Sequence, residues 1–220
     1  DCPMTLKSDS TSLKNWGTAN VPAETYAAIY YPHGYSSDLS GNNVVIPSSA
    51  IALRTFAFSD QVSFPWFAPE DEFVKVQLSE GQRDVLYGQR INPIADFPST
   101  GMAVYGQKTT QATSTALDRV NVARLVNYMR HNLDQMSRAF LFEQNDKITR
   151  DNMRDAVERF CGNLVTQRGL YDFVVVCDDS NNTPARIDRN ELWVDVAIQP
   201  AKSVEFIYIP LRIRNTGETL

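Results

Sequence analysis

Apolar residues recur along this chain at two periods, and the switch between them organises its second half. Val122, Leu125, Val126, Met129, Leu133, Met136 and Phe140 follow one another in steps of 3, 1, 3, 4, 3 and 4. That is the one-sided stripe of an amphipathic helix. Arg130, Asp134 and Arg138 form an i, i+4 ladder on another face of it. A second helix is predicted to start near Thr149-Arg150-Asp151, with Met153, Ala156, Val157, Phe160 and Leu164 inside and Gly169 placed to stop it. The period then shortens to two. Strands are predicted over 173–177, 192–198 and 204–213; in the middle one Leu192, Val194, Val196 and Ile198 alternate with Trp193, Asp195, Ala197 and Gln199. The last strand is apolar on both faces, is broken by Pro210 and ends on Arg212 and Arg214. Proline confines a strand to an edge or a bulge. An apolar edge either closes its own sheet or adds to the sheet of a neighbour.

The first half is less regular. Residues 5–20 are polar and aperiodic, which predicts a loop. Pro22-Ala23-Glu24 predicts a short helix through Tyr30, because proline is tolerated in a first helical turn. Val44-Val45-Ile46 predicts a strand, and Pro47-Ser48-Ser49 a helix with a hydroxyl N-cap that runs to about Phe58. Two prolines bracket Phe64-Pro65-Trp66-Phe67-Ala68-Pro69, and acidic Glu70-Asp71-Glu72 follows, which marks a domain boundary. A strand over 74–78, a helix over 80–87, a strand over 102–106 and a polar loop over 108–115 complete the pass. The fold class is α/β with α+β character: a mixed β-sheet flanked by helices, whose C-terminal domain ends in an edge strand or arm. The expected domains are 1–72 and 73–220. The opening Asp1-Cys2-Pro3 reads as the end of a strand and leads us to expect an upstream portion.

Composition narrows the function more than it names it. Hydrophobic content of 43% and charged content of 21% are those of a globular protein. No apolar run reaches the ~18 residues of a membrane span, and no secretory signal pattern opens the chain. The net charge of −5 argues against nucleic acid as a direct partner. Residues 1–110 carry 7 basic and 11 acidic side chains, and residues 111–220 carry 14 and 15. A half rich in both signs suits ion pairing between copies, and suits any solvated helical face as well. Cys2, Cys161 and Cys177 are too few and too irregular for a disulfide framework or a zinc site, so Cys161 and Cys177 read as buried free thiols.

Catalytic chemistry finds little support. No glycine-rich phosphate loop follows a strand, and neither His33 nor His131 sits in a pattern that would activate a nucleophile. Asp178-Asp179-Ser180-Asn181-Asn182, with Asp188 nearby, is the best metal candidate. It lacks the sharp-turn glycine and the closing glutamate, so Asx-turns at a strand end are the simpler reading. We expect no catalytic, cofactor-binding or metal site.

A series of short segments carries a family resemblance. Tyr26-Ala27-Ala28-Ile29-Tyr30-Tyr31-Pro32, Val45-Ile46-Pro47-Ser48-Ser49, Pro65-Trp66-Phe67-Ala68-Pro69, Ile91-Asn92-Pro93-Ile94, Val104-Tyr105-Gly106-Gln107-Lys108-Thr109 and Phe142-Glu143-Gln144-Asn145-Asp146 appear in that order. Together with the strands that follow, they resemble the C-terminal part of contractile phage tail sheath proteins. Ile46, where the family has proline, and Glu70-Asp71, where it has Ala-Gly, depart from its pattern. The resemblance implies a structural subunit, and no enzyme, that polymerises helically around the tail tube and contracts to drive it through a host envelope. It implies terminal arms that add strands to neighbouring subunits. The partners it implies are other copies, the tail tube protein, and baseplate and tail terminator proteins, in a virion assembled in the bacterial cytoplasm. The expected subunit contacts are Val204, Phe206, Tyr208, Ile209, Leu211, Arg212 and Arg214, with Arg130, Asp134 and Arg138. Alternatives are the sheath of a non-viral injection particle, such as an R-type bacteriocin or a secretion system, and an α/β ligand- or metal-binding domain.

Overall fold

The computed structural model describes residues 23–62, 69–70, 73–74, 76–98, 101–205 and 207–209. The chain divides into two compact units between Gln135 and Met136. The expected boundary at 72/73 adjoins residues outside the described set. Among the described residues no helix is long and apolar enough to cross a membrane.

The first unit is built on a four-stranded mixed sheet. Its strands β1 (Ile29–Tyr31), β4 (Pro69–Glu70), β6 (Ile91–Phe97) and β7 (Gly101–Val104) lie in the order β1-β6-β7-β4, with β1 parallel to β6 and the other pairs antiparallel. A second, antiparallel sheet orders β3 (Asn43–Ile46), β2 (Gly34–Ser37) and β5 (Phe73–Val74). Helix α1 spans Ser48–Val62 and α2 spans Glu80–Gly88. Strand alternation sends neighbouring residues to opposite faces. Tyr30 and Ile94 therefore join Ile51, Ala52, Met102 and Val104 in one core, while Ile29, Tyr31 and Ile91 join Leu78 and Leu86 in another. The sheet is covered on both faces, the flanked mixed sheet expected from the pattern. Burying Ile51, Leu86, Ile91 and Ile94 stabilises this unit by about 1.5–3 kcal/mol apiece.

Three expectations for this unit change. No helix forms over the described residues 23–30 of the expected 22–30 helix; Ile29–Tyr31 is a strand. Thr110 engages the backbone that such a helix would need: its Oγ1 accepts from Glu24 N–H and donates to Glu24 O, and its N–H donates to Ala27 O. Ser48 is not a cap, because its Oγ donates to Tyr30 O at 2.8 Å and ties α1 to β1. The strand expected over 74–78 is confined to Phe73–Val74, and Ser79 beyond it forms a capping box with Gln82 that starts α2.

Helix α3 (Val120–Ser137) and a 3-10 turn (Arg138–Phe140) carry the long apolar stripe. Val122 and Met129 are buried, and the rest of the stripe is half-buried. The second unit packs α4 (Lys147–Thr166) on an antiparallel pair, β8 (Leu170–Val176) and β9 (Asp195–Pro200), with a one-turn helix α5 (Pro184–Ile187) between them. Met153, Val157, Cys161 and Leu164 form the buried edge of α4. The helix begins two residues before Thr149, because Asp146 accepts from Thr149 N–H at 2.8 Å. It ends in a Schellman arrangement, with Gly169 N–H on Leu164 O and Arg168 N–H on Val165 O. The left-handed residue is Arg168, at φ 64°, and not the expected Gly169. Strand β9 begins at Asp195, three residues later than expected, while β8 begins at Leu170, three residues earlier. Half-buried Val196 and Ile198 keep the predicted inward phase.

Candidate assembly surfaces

Two asparagine clamps hold the segments whose motifs stand out in the sequence. In the first unit Asn92 lies fully buried on β6; its Oδ1 accepts from Lys108 N–H at 2.7 Å and its Nδ2 donates to Lys108 O at 2.8 Å. The side-chain amide thus replaces one residue of a ladder. Gly106 must pass over it, since a Cβ there would stand 2.8 Å from Asn92 Oδ1. In the second unit Asn182 repeats the device on Trp193, accepting from N–H at 2.7 Å and donating to O at 2.9 Å. That bond diverts Trp193 from the sheet and delays the start of β9.

The clamp belongs to a loop over 178–194 that is held together by side chains. Asp178 Oδ1 accepts from Ser180 N–H at 2.8 Å, the Asx-turn expected there, and the bonds to Ser180 hold its carboxyl below the usual range. Asn181 Nδ2 donates to Val176 O and Asp195 Oδ2. Arg186 lies 3.9 Å over the Trp193 ring. Glu191 accepts from Arg189 through both oxygens and from Trp193 Nε1, and the Arg189 bond pulls its carboxyl down to about 2. Arg150, nearly buried, pairs with exposed Asp179 at 2.9 Å. These carboxylates and amides are committed to one another, and among the described residues no group of three or more His, Cys, Asp and Glu side chains is arranged to hold a metal.

Elsewhere the chemistry is equally committed. A polar cleft of about 290 Å³ in the first unit is lined by Arg90, Lys108, Thr109, Gln111 and Arg119 among others. Lys108 Nζ donates to Tyr87 O, Arg90 donates to Ala112 O, and Arg119 pairs with Asp118. Cys161 and Cys177 are free and buried, as expected, and burial raises both thiols.

The open surface of the second unit lies at the β8–β9 sheet and just beyond it. The sheet has two strands, and among the described residues neither outer edge pairs with a further strand. Just beyond β9, Ala201 N–H donates to Gly169 O. Val204, Ile207, Tyr208 and Ile209 then stand 77–86% exposed. The strand expected over 204–213 is absent from its described residues, because a strand exists only against a partner and this segment joins no sheet. Phe206, Leu211, Arg212 and Arg214 lie outside the described residues. Arg130, Asp134 and Arg138 are exposed; Arg130 stacks 5.6 Å from the Tyr26 ring and Arg138 falls in the 3-10 turn. The structure thus places the two sets of expected contacts on separate elements. Sequence reasoning missed the Asn92 and Asn182 clamps, although an Asn on an apolar strand and an Asn-Asn pair after one were the available signals.

Residues 112–214 match the family model of the phage tail sheath C-terminal domain. The tail sheath protein of Vibrio phage KVP40 is 35% identical over 193 residues, covering 83% of this chain and 29% of that protein. The tail sheath protein of Enterobacteria phage T4 is 34% identical over 234 aligned residues, covering 98% of this chain and 35% of that protein. The chain therefore spans about a third of the curated relatives it matches. Among solved structures, the sheath complex of the extracellular contractile injection system PVC, in its contracted state, aligns with a TM-score of 0.81 at 24% identity, over 92% of this chain and 59% of that one. The contracted helical sheath of the anti-feeding prophage aligns with a TM-score of 0.75 at 21% identity, over 87% and 57%. These two likenesses share the fold.

Proposed function

We propose that this chain, whose residues 112–214 match the family model of the phage tail sheath C-terminal domain, is part of a structural subunit of a contractile sheath. Copies polymerise helically around a tail tube, and a change in their packing drives the tube through the host envelope. The observation that carries this reading is the pairing of an incomplete sheet with an exposed apolar arm. An isolated two-stranded pair is marginal in water, and a row of free strand edges invites a further strand. The arm from Val204 through Ile209 supplies one to a neighbour, whose own β8–β9 edge receives it. Val204, Phe206, Tyr208, Ile209, Leu211, Arg212 and Arg214 make that contact; Arg130, Asp134 and Arg138 add a second, charged one.

The role is mechanical. The cleft's cations are held by internal bonds and the thiols are buried and raised, and this bonding serves the stability of the subunit. The tube, baseplate and terminator are its protein partners, and the sheath forms in the host cytoplasm before joining the virion tail. A second reading, the sheath of a non-viral injection particle, draws on the shared fold of the PVC and anti-feeding prophage sheaths.

The test is electron microscopy of the full-length protein, expressed with its tube partner, with and without residues 204–220. Cross-striated tubes are expected from the intact protein and dispersed particles from the truncated one. Normal contractile tails built from truncated subunits would sink the strand-exchange reading.

A further inference from the structure

The polar cleft of the first unit gathers cations in a way that the fold alone does not require. Lys108 and Arg119 face each other across an isolated antiparallel bridge, and like charges directly opposite in such a pair repel. Arg90 lines the same cleft just past the end of α2, in a left-handed conformation at φ 65° that glycine would take without strain. Among the described residues that line the cleft, Asp118 is the one carboxylate, and it pairs with Arg119 at 2.9 Å. Three cations against one carboxylate give the lining an excess of two positive charges. The C-terminal end of α2, where Tyr87 O accepts from Lys108 Nζ, offsets roughly half a charge. Capping that helix end therefore accounts for the smaller part of the excess.

The same cations are fixed in place. The Asn92 clamp holds the Lys108 backbone, while Val120 N–H donates to Gln107 O at 2.7 Å and Thr109 N–H to Asp118 O at 3.0 Å, which ties the two arms of the bridge together. Lys108 Nζ rests on Tyr87 O and Arg90 Nη2 on Ala112 O, each at 2.9 Å. A bond to a carbonyl orients a cation without cancelling its charge. Arg90 keeps the Nε and Nη1 donors of its fork for a further acceptor. We propose that this cleft binds a doubly charged tetrahedral oxyanion: phosphate, free or as the terminal group of a small ester. Arg90 grips it with its remaining donors, and Lys108 and Arg119 lie on either side, their mutual repulsion relieved by the anion. All three cations are half-buried, so their attraction is screened less than on open surface. Charge selects the class, since a dianion comes closer to the excess than a monocarboxylate does. The site lies wholly within the first unit and does not depend on the sheath reading, so either can fail without the other.

The test is titration of the full-length protein with sodium phosphate, against sodium chloride at equal ionic strength. Calorimetry is expected to show saturable binding, and the melting temperature to rise with phosphate and not with chloride. A parallel arm with glycerol phosphate separates the two sources. Binding of both ligands assigns the terminal group of an ester, and binding of inorganic phosphate alone assigns the free ion. Arg90→Gly removes the fork and suits φ 65°. That variant should melt near the wild-type temperature without phosphate and bind phosphate roughly tenfold or more weakly. Lys108→Gln keeps a donor within reach of Tyr87 O and should weaken binding by a similar factor. The inference is overturned if phosphate does not bind, if chloride reproduces the rise in melting temperature, or if acetate binds as tightly as phosphate. Unchanged phosphate affinity in both variants would overturn it as well.

Discussion

The two units solve the problem of a stable sheet in opposite ways. Up to Gln135 the main sheet has helices on both faces and two apolar clusters with Ile51, Leu86, Ile91 and Ile94 essentially inaccessible. From Met136 one helix covers one face of two strands, the loop between them is organised by hydrogen bonds and ion pairs, and among the described residues neither edge pairs with a further strand. The first unit buries enough apolar surface to stand by itself. The second keeps the apolar side chains of Val174, Val204, Ile207, Tyr208 and Ile209 exposed. On the reading proposed above, that division suits a subunit that exchanges neighbours, with one unit stabilised by its own core and the other by assembly.

The largest effects should come from the cores and differ between the units. Leu86→Ala removes a fully buried side chain from a site walled on several sides and is expected to cost about 2–5 kcal/mol. Leu164→Ala, on the thinner side of α4, should fall at the low end of that range and regain part of the loss inside assembled tubes. Chemical denaturation of free and assembled protein measures both; an equal loss at Leu164 in the two states would break the comparison. Next come the clamps. Asn92→Ala and Asn182→Ala each remove the partner of a backbone N–H and a C=O, about 1–3 kcal/mol for two part-buried bonds. The first should lower global stability. The second should free the loop over 178–194, read as faster amide exchange at Trp193 with little change at Ile94. Gly106→Ala should cost about 1–3 kcal/mol, since its Cβ would meet Asn92 at both Oδ1 and Cα. A neutral outcome would mean that the Asn92 clamp tolerates displacement.

How much of this was legible in the sequence depended on whether a residue's partner lay nearby along the chain. Periodicity found α3, α4 and the inward phase of β9, because a stripe at period 3.6 or 2 is a local record of burial. It misread 22–30 as helix, since the pairing of Ile29–Tyr31 with Ile91, Asn92 and Pro93 is some sixty residues away. It placed the start of the 192–198 strand too early because Asn182, eleven residues upstream, takes the Trp193 backbone. The segment over 204–213 has the composition of a strand, but composition does not supply the partner a ladder needs, and its described residues join no sheet. The apolar character of the segment after β9 was visible in the sequence, and the described part of it is exposed. The left-handed backbone at Phe142 was not legible, because a φ of 70° at a phenylalanine leaves no compositional trace.

Acid should act on both units with the same sign and in sequence. In the first unit, burial holds the His33 imidazole below its ordinary value of 6.5, and its Nδ1 accepts from Ser48 N–H at the start of α1. The neutral form is therefore favoured by folding. Its contribution is present above the unfolded value and is lost as pH falls through 6.5 towards the folded one, when a cation forms at the positive end of a helix. In the second unit the Arg189 bond draws Glu191 from an ordinary 4.5 to about 2. Its contribution is present above 4.5 and is lost as pH falls from there towards 2. Both effects are small, and Glu191 is exposed enough for salt to weaken it. Amide and indole resonances distinguish the two: Ser48 N–H should shift in the higher window and Trp193 Nε1–H in the lower. A single transition shared by both reporters would show that the two units respond to acid as one, and would remove the contrast between them.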